Sequence, residues 1–116
     1  NLVQYVIVRS DLIKALGWPV GPTMAQACHA SVSALFKFKD DQNVVDYLAD
    51  MENMHKVILE VSSETKLRNL AQRLTEGGID HHFWIEMPEN IPTAIATKPY
   101  DKEHVRPYFK KCKLFK

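Results

Sequence analysis

Two hydrophobic rhythms alternate along this chain. Val3 to Val8 is a short apolar run rich in β-branched residues and predicts a central strand. Asp11 to Gly17 reads as a turn or short helix. The stretch Gly17-Trp18-Pro19-Val20-Gly21-Pro22 carries two glycines and two prolines and is expected to stay out of regular helix. A helix is then predicted from about Pro22 to Phe38. Pro22 suits its first turn, where a missing N–H costs nothing. Met24, Cys28, Ser31, Leu35 and Phe38 share one stripe at helical spacing, and Ala27, Ala30 and Ala34 permit close approach to a sheet.

A second helix is expected over Val44 to Met54, with Val45, Leu48 and Ala49 inward. Lys56 to Val61 predicts the second strand. Ser63 is placed to cap a helix whose Leu67, Leu70, Ala71 and Leu74 form one face, and Gly77-Gly78 stops it. Asp80 to Glu86 is the third strand, and the Met87 to Pro92 connection leads to a fourth over Thr93 to Thr97. So short a link makes strands three and four antiparallel. A last helix is expected over Lys102 to Phe109. The order is β-α-(α)-β-α-β-β-α: an α/β domain with a mixed four-stranded sheet and helical cover.

The 116 residues fit a single domain over 1–116. A formal net charge of +1 excludes a global field drawing the chain to nucleic acid. The charge is unevenly placed, however. Seven acidic residues stand between Asp40 and Glu64 against Lys56, and seven basic ones between Lys98 and Lys116 against Asp101 and Glu103. Lys110, Lys111 and Lys113 in that basic end could meet phosphates, or could serve as a solubilising tail. Two cysteines, Cys28 and Cys112, make no disulfide framework, and Cys28 among small helix residues is expected to be a buried thiol. No signal peptide or membrane span is evident, so no membrane partner is expected. Without an initiator Met the chain reads as trimmed or processed. A cytoplasmic setting is the default expectation, with a targeting segment lost or unseen.

Four residues carry candidate chemistry. Gln26 and His29, three apart, are neighbours on the first long helix near the carboxyl end of strand one, where open α/β sheets keep their sites. They either line a pocket or serve as a packing histidine and a solvent-facing amide. Glu86 ends strand three and Thr93 opens strand four. If the sheet brings them to the end of strand one, a carboxylate able to orient or deprotonate water meets a hydroxyl able to hold an ester. The plainer reading is an exposed hairpin carboxylate and a Thr chosen for strand propensity. Trp18 either stacks a nucleobase or lids the core beside Pro19. His81 and His82 are adjacent in a strand and point to opposite faces, a poor metal clamp. No zinc signature, serine elbow, P-loop or dinucleotide glycine pattern appears.

Tyr5-Val6-Ile7-Val8-Arg9-Ser10-Asp11-Leu12 and Ala25-Gln26-Ala27-Cys28-His29-Ala30-Ser31-Val32 resemble the amino-terminal half of the type 2 peptidyl-tRNA hydrolases of archaea and eukaryotes. Lys56-Val57-Ile58-Leu59, Ser63-Glu64, Glu86, Thr93-Ala94-Ile95-Ala96 and Lys113-Leu114-Phe115 extend the resemblance over nearly the whole chain. The resemblance implies an α/β fold with helices on both faces of a mixed four-stranded sheet, needing no metal. It also implies a hydrolase acting in translation, which cleaves the ester between a peptide and the 3′ ribose of tRNA; no cofactor is expected. It places Glu86 near the family's aspartate, Thr93 at the threonine opening strand four, and Gln26 and His29 at the start of the long helix. It also implies peptidyl-tRNA or tRNA as partner, with a protein partner and the subunit number open. Two departures stand out. The family's Gly-Lys-rich loop is replaced by Gly17 to Pro22, with no basic residue between Lys14 and Lys37, and a second threonine expected within Met87 to Pro92 is missing. The alternative is therefore a homologue that kept the fold, lost the chemistry, and binds tRNA or a protein.

Overall fold

Strand β1 (Leu2–Arg9) lies inside the sheet of the computed structural model, which describes residues 1–116. It is buried on both faces, which is why its sequence is apolar at nearly every position rather than alternately. It pairs in parallel with β2 (His55–Val61), Val6 beside Ile58, and antiparallel with β4 (Ile91–Thr97), Ile7 beside Ile95. β3 (His81–Glu86) pairs antiparallel with β4 as expected. Two strands of two residues each, β5 (Tyr100–Asp101) on β1 and β6 (Lys113–Leu114) on β2, add to the predicted four. Such short pairings carry no periodicity to read. The spatial order is β3-β4-β1-β2-β6.

Seven helical segments accompany these strands: α1 (Asp11–Lys14), α2 (Val20–Lys37), α3 (Gln42–Ala49), α4 (Glu64–Glu76), α5 (Lys102–Val105) and two 3₁₀ turns, Met51–Asn53 and Arg106–Phe109. Alternation along β1 sorts the core. Val6 and Val8 join Leu12, Ala30, Ala34, Ala94 and Ala96 under α2. Tyr5 and Ile7 join Leu59, Leu67, Leu70, Leu74, Ile95 and Phe109 under α4 and the carboxyl-terminal turn. Ser63 caps α4, its Oγ accepting from Lys66 N at 3.2 Å. Gly78 leaves that helix with φ +69°, and a Cβ on Gly77 would collide with the Tyr108 ring. No helix is long and apolar enough to cross a membrane.

The helices depart from expectation in phase and ends. α2 begins at Val20, not Pro22, so the Gly/Pro stretch supplies its first turn. Pro22 is the third helical residue and its missing N–H would have had no intrahelical acceptor. The predicted stripe is not the buried face. Thr23, Gln26, Ala30, Ser31 and Ala34 are buried, Met24 and Cys28 are exposed, and Leu35 and Phe38 are half-buried. The facing strand carries Ala94 and Ala96, so helix and sheet meet small against small and the larger side chains lie on the flanks. Cys28 is thus an exposed thiol, not a buried one.

α3 is also turned from its expected phase: Val44 and Tyr47 are buried, and Val45, Leu48 and Ala49 face solvent. Tyr47 Oη donates to His55 O at 2.8 Å and fixes that orientation. The helix stops at Ala49, and Met51–Asn53 forms a 3₁₀ turn. Lys98 is not part of a free basic tail. It is buried and bridges Asp41 (2.6 Å) and Asp80 (2.9 Å), tying the start of α3 to the segment before β3.

Candidate active site

A β-bulge aims the central side chain. Trp84 pairs with Ala94 and Ile85 with Pro92, leaving Thr93 as an extra residue in β4. A bulge re-aims the residues at which it occurs. Ala94 packs under α2, and Thr93 faces α2 as well, its Oγ1 donating to Gln26 Oε1 at 2.8 Å. Gln26 Nε2 in turn donates to Pro22 O at 3.1 Å. Both residues are almost fully buried, Thr93 at 0% and Gln26 at 2% exposure. Gln26 is therefore not a solvent-facing amide. It fastens the first turns of α2 to the start of β4.

Arg9 fastens the same corner from the other side. Its Nη1 donates to Pro92 O at 3.0 Å, while Nε and Nη2 take the two Asp11 oxygens at 3.0 and 2.8 Å. Glu64 stands 3.6 Å away. The hydrogen bond to Asp11 raises the guanidinium's pKa above its ordinary value despite burial. The ends of β1 and β4 are thereby held together by a charge that cannot titrate away.

Glu86 belongs to a second linked group. Trp84 Nε1 donates to its Oε1 at 3.0 Å, leaving the other carboxylate oxygen without a protein donor. His29, exposed on α2, stacks its ring on Trp84 with centroids 4.6 Å apart and planes at 19°. It is neither a buried packing histidine nor isolated. His82 lies tilted against Trp84 with centroids 6.2 Å apart, its Nδ1 buried without a partner. Burial first, then Lys37 and His81, push the His82 pKa down, which favours a neutral ring. Gln26 and His29 lie three apart on α2, and Trp84 sits beside Ala94 in the sheet, so the two groups form one corner.

Other expected members lie elsewhere. Lys14 does not fold toward this corner. It reaches across to Glu60 at 3.4 Å, so Lys14 does not take the place of the loop lysine. The backbone N–H of Thr23 bonds Pro19 O at 3.4 Å, which moves the unused donors of α2 to Val20 and Gly21. Trp18 is half-buried against the α2-side core beside Leu12. Lys110, Lys111 and Lys113 lie at the opposite, β6 edge of the sheet. No three His, Cys, Asp or Glu side chains converge in a way that could hold a metal ion. Sequence reasoning missed Arg9 and Trp84. The available signals were the Arg9-Ser10-Asp11 spacing and the same-face relation of Trp84 and Glu86, two apart on a strand.

Comparison with known proteins fits this architecture. The family model described as Peptidyl-tRNA hydrolase PTH2 matches residues 2–115. The chain belongs to the PTH2 family. PTRHD1 from Mus musculus and PTRHD1 from Homo sapiens, both named provisionally as a peptidyl-tRNA hydrolase, are each 48% identical over 99% of this chain and 83% of their own length. The peptidyl-tRNA hydrolase of Methanothermobacter thermautotrophicus is 30% identical over 88% of this chain and 89% of its own. Within the PTH2 fold the corner at the carboxyl end of β1 holds the carboxylate, threonine, glutamine and histidine that the resemblance singled out.

Proposed function

We propose that this protein is a peptidyl-tRNA hydrolase of reduced catalytic power, in which Glu86 orients and deprotonates the attacking water. The observation that carries this reading is the Trp84–Glu86 bond. It fixes one carboxylate oxygen and leaves the other for water at the end of a sheet in the PTH2 fold. Water adds its hydroxyl to the acyl carbon, its proton passes through Glu86, and the ribose 3′ oxygen leaves with a proton. Thr93 and Gln26 are too buried to touch substrate. They are positioning residues that set the bulge and hence the course of β4 beside Glu86. His29, exposed on Trp84, is the side chain of this set placed to meet the substrate.

The Gly17 to Pro22 stretch carries no lysine to meet negative charge developing on the carbonyl oxygen, and at the start of α2 the Val20 and Gly21 N–H groups have no intrahelical acceptor. Loss of one preorganised donor costs about 3–4 kcal/mol, or roughly 10²–10³ in rate. The single-turnover rate is therefore expected to fall short of a lysine-bearing family member by that factor. A cytoplasmic setting, where translation supplies peptidyl-tRNA, goes with this reading.

The diversion of Lys14 to Glu60 favours one second reading: a family member that binds tRNA or a protein without hydrolysing it. The test is incubation of stoichiometric protein with N-acetyl-aminoacyl-tRNA in ¹⁸O water. Hydrolysis places ¹⁸O in the released carboxylate and leaves intact tRNA with a free 3′ hydroxyl. Bound tRNA with no acid released would replace the hydrolase by the binding module.

A further inference from the structure

A groove of about 470 Å³ opens between α4 and the β2–β6 edge, far from the Glu86 corner. Lys66 and Arg73 enter it from α4, and Lys111 and Lys113 from the carboxyl-terminal segment, residues distant in sequence that the fold brings together. None of the four takes part in an ion pair. Arg73 is oriented by donating to Tyr108 O at 3.3 Å. The one carboxylate in the wall, Glu60, is engaged by Lys14. A molecule of net charge +1 thus concentrates four unpaired cations on one concavity.

We infer that this groove docks the phosphodiester backbone of the tRNA, away from the ester. The inference rests on the hydrolase-family reading for the identity of the polyanion. Two further observations select RNA. The groove wall contains no aromatic side chain, so it offers charge without a surface for stacking bases and suits recognition that ignores sequence. It also lies at the β6 edge while Glu86 lies on β3, four strand spacings away, about 19 Å. One ligand engaging both must be a long polyanion, which a small phosphate metabolite is not. Lys110 lies outside the groove wall and drops out of the docking set, while Lys66 and Arg73 enter it.

The test is the affinity of deacylated tRNA as a function of salt. It compares the wild type, a groove variant (Lys66→Ala, Lys111→Ala, Lys113→Ala) and a control variant (Lys37→Ala, Lys39→Ala, Lys102→Ala). All six lysines are exposed, and circular dichroism checks that each variant is folded. Each phosphate contact contributes about 0.7–0.9 to the slope of log K against log salt. The groove variant should lose roughly two to three units of slope, about 10²-fold in affinity at 0.1 M salt, with the control unchanged. N-acetyl-aminoacyl-adenosine, which ends at the ester, should be cleaved equally by wild type and groove variant. An unchanged slope in the groove variant would overturn the inference even if hydrolysis is found. Lost slope with no hydrolysis by any form would uphold the groove and remove the hydrolase reading. Poly-glutamate binding the groove more tightly than tRNA would overturn the choice of RNA in favour of an acidic protein.

Discussion

Replacing Thr93 by Val isolates the bond that holds the bulge. The substitution keeps the shape and the β-branch and removes one hydroxyl. Gln26 Oε1 then loses its donor, at a site where Gln26 is 2% and Thr93 0% exposed, so water cannot replace it. Leaving a buried acceptor unsatisfied costs about 1–3 kcal/mol. For a domain of this size each kcal/mol lowers Tm by roughly 4 °C, so Tm should fall by roughly 4–12 °C. Urea unfolding of wild type, Thr93→Val, Gln26→Leu and the double variant gives the coupling directly. Each single change strands a partner that the double change removes, so the double should be less destabilised than the sum, by about 0.5–3 kcal/mol. A Thr93→Val loss within 0.5 kcal/mol, with an additive cycle, would refute the claim that the two side chains form one buried unit.

Three other outcomes are expected. Lys98→Met should cost roughly 1–2 kcal/mol at pH 7, discounted from a fully buried pair because Asp41 and Asp80 are partly exposed. The bond from Lys98 holds the Asp41 pKa below its ordinary value, so this stability is present above the usual carboxylate range and is lost as pH falls through the depressed pKa. Burial opposes the Lys98 charge, but Asp41 and Asp80 hold its pKa above the ordinary value, so the contribution persists below that value and fades as pH rises through the raised one. Urea titrations from pH 2 to 7 should show wild type and variant converging in acid. Trp84→Phe keeps an aromatic ring for His29 but removes the donor to Glu86, and should lower the hydrolytic rate about 10-fold or more while changing Tm little. Alkylation followed by mass spectrometry should modify exposed Cys28 well before Cys112, whose thiol pKa is pushed up by burial.

Much of the fold was legible because single residues announced it. β1 is apolar at nearly every position because both its faces are covered. Ser63, the Leu67-Leu70-Leu74 spacing and the two glycines mark α4 from end to end. The phase of α2 was not legible, because hydrophobic periodicity follows large side chains and this interface is built from alanines, a threonine and a glutamine. Strict alternation over Thr93 to Thr97 would place Thr93 with Ile95, facing α4. The bulge that turns it toward Gln26 depends on the pairing of Trp84 with Ala94 and Ile85 with Pro92, which one strand alone does not encode. Glu86 was visible as a strand-end carboxylate, but the indole that holds it was not. Lys111 and Lys113 stood out as a basic run. Their partners Lys66 and Arg73 lie some forty residues earlier and looked like the solvated face of a helix.

The most direct test of the Glu86 mechanism is single-turnover hydrolysis of N-acetyl-aminoacyl-tRNA at saturating protein, wild type beside Glu86→Gln. Removing a positioned general base typically costs 10²–10⁴-fold. The mechanism predicts a measurable wild-type rate that falls by at least 10² in the variant with tRNA affinity unchanged. Equal rates in the two proteins would contradict it.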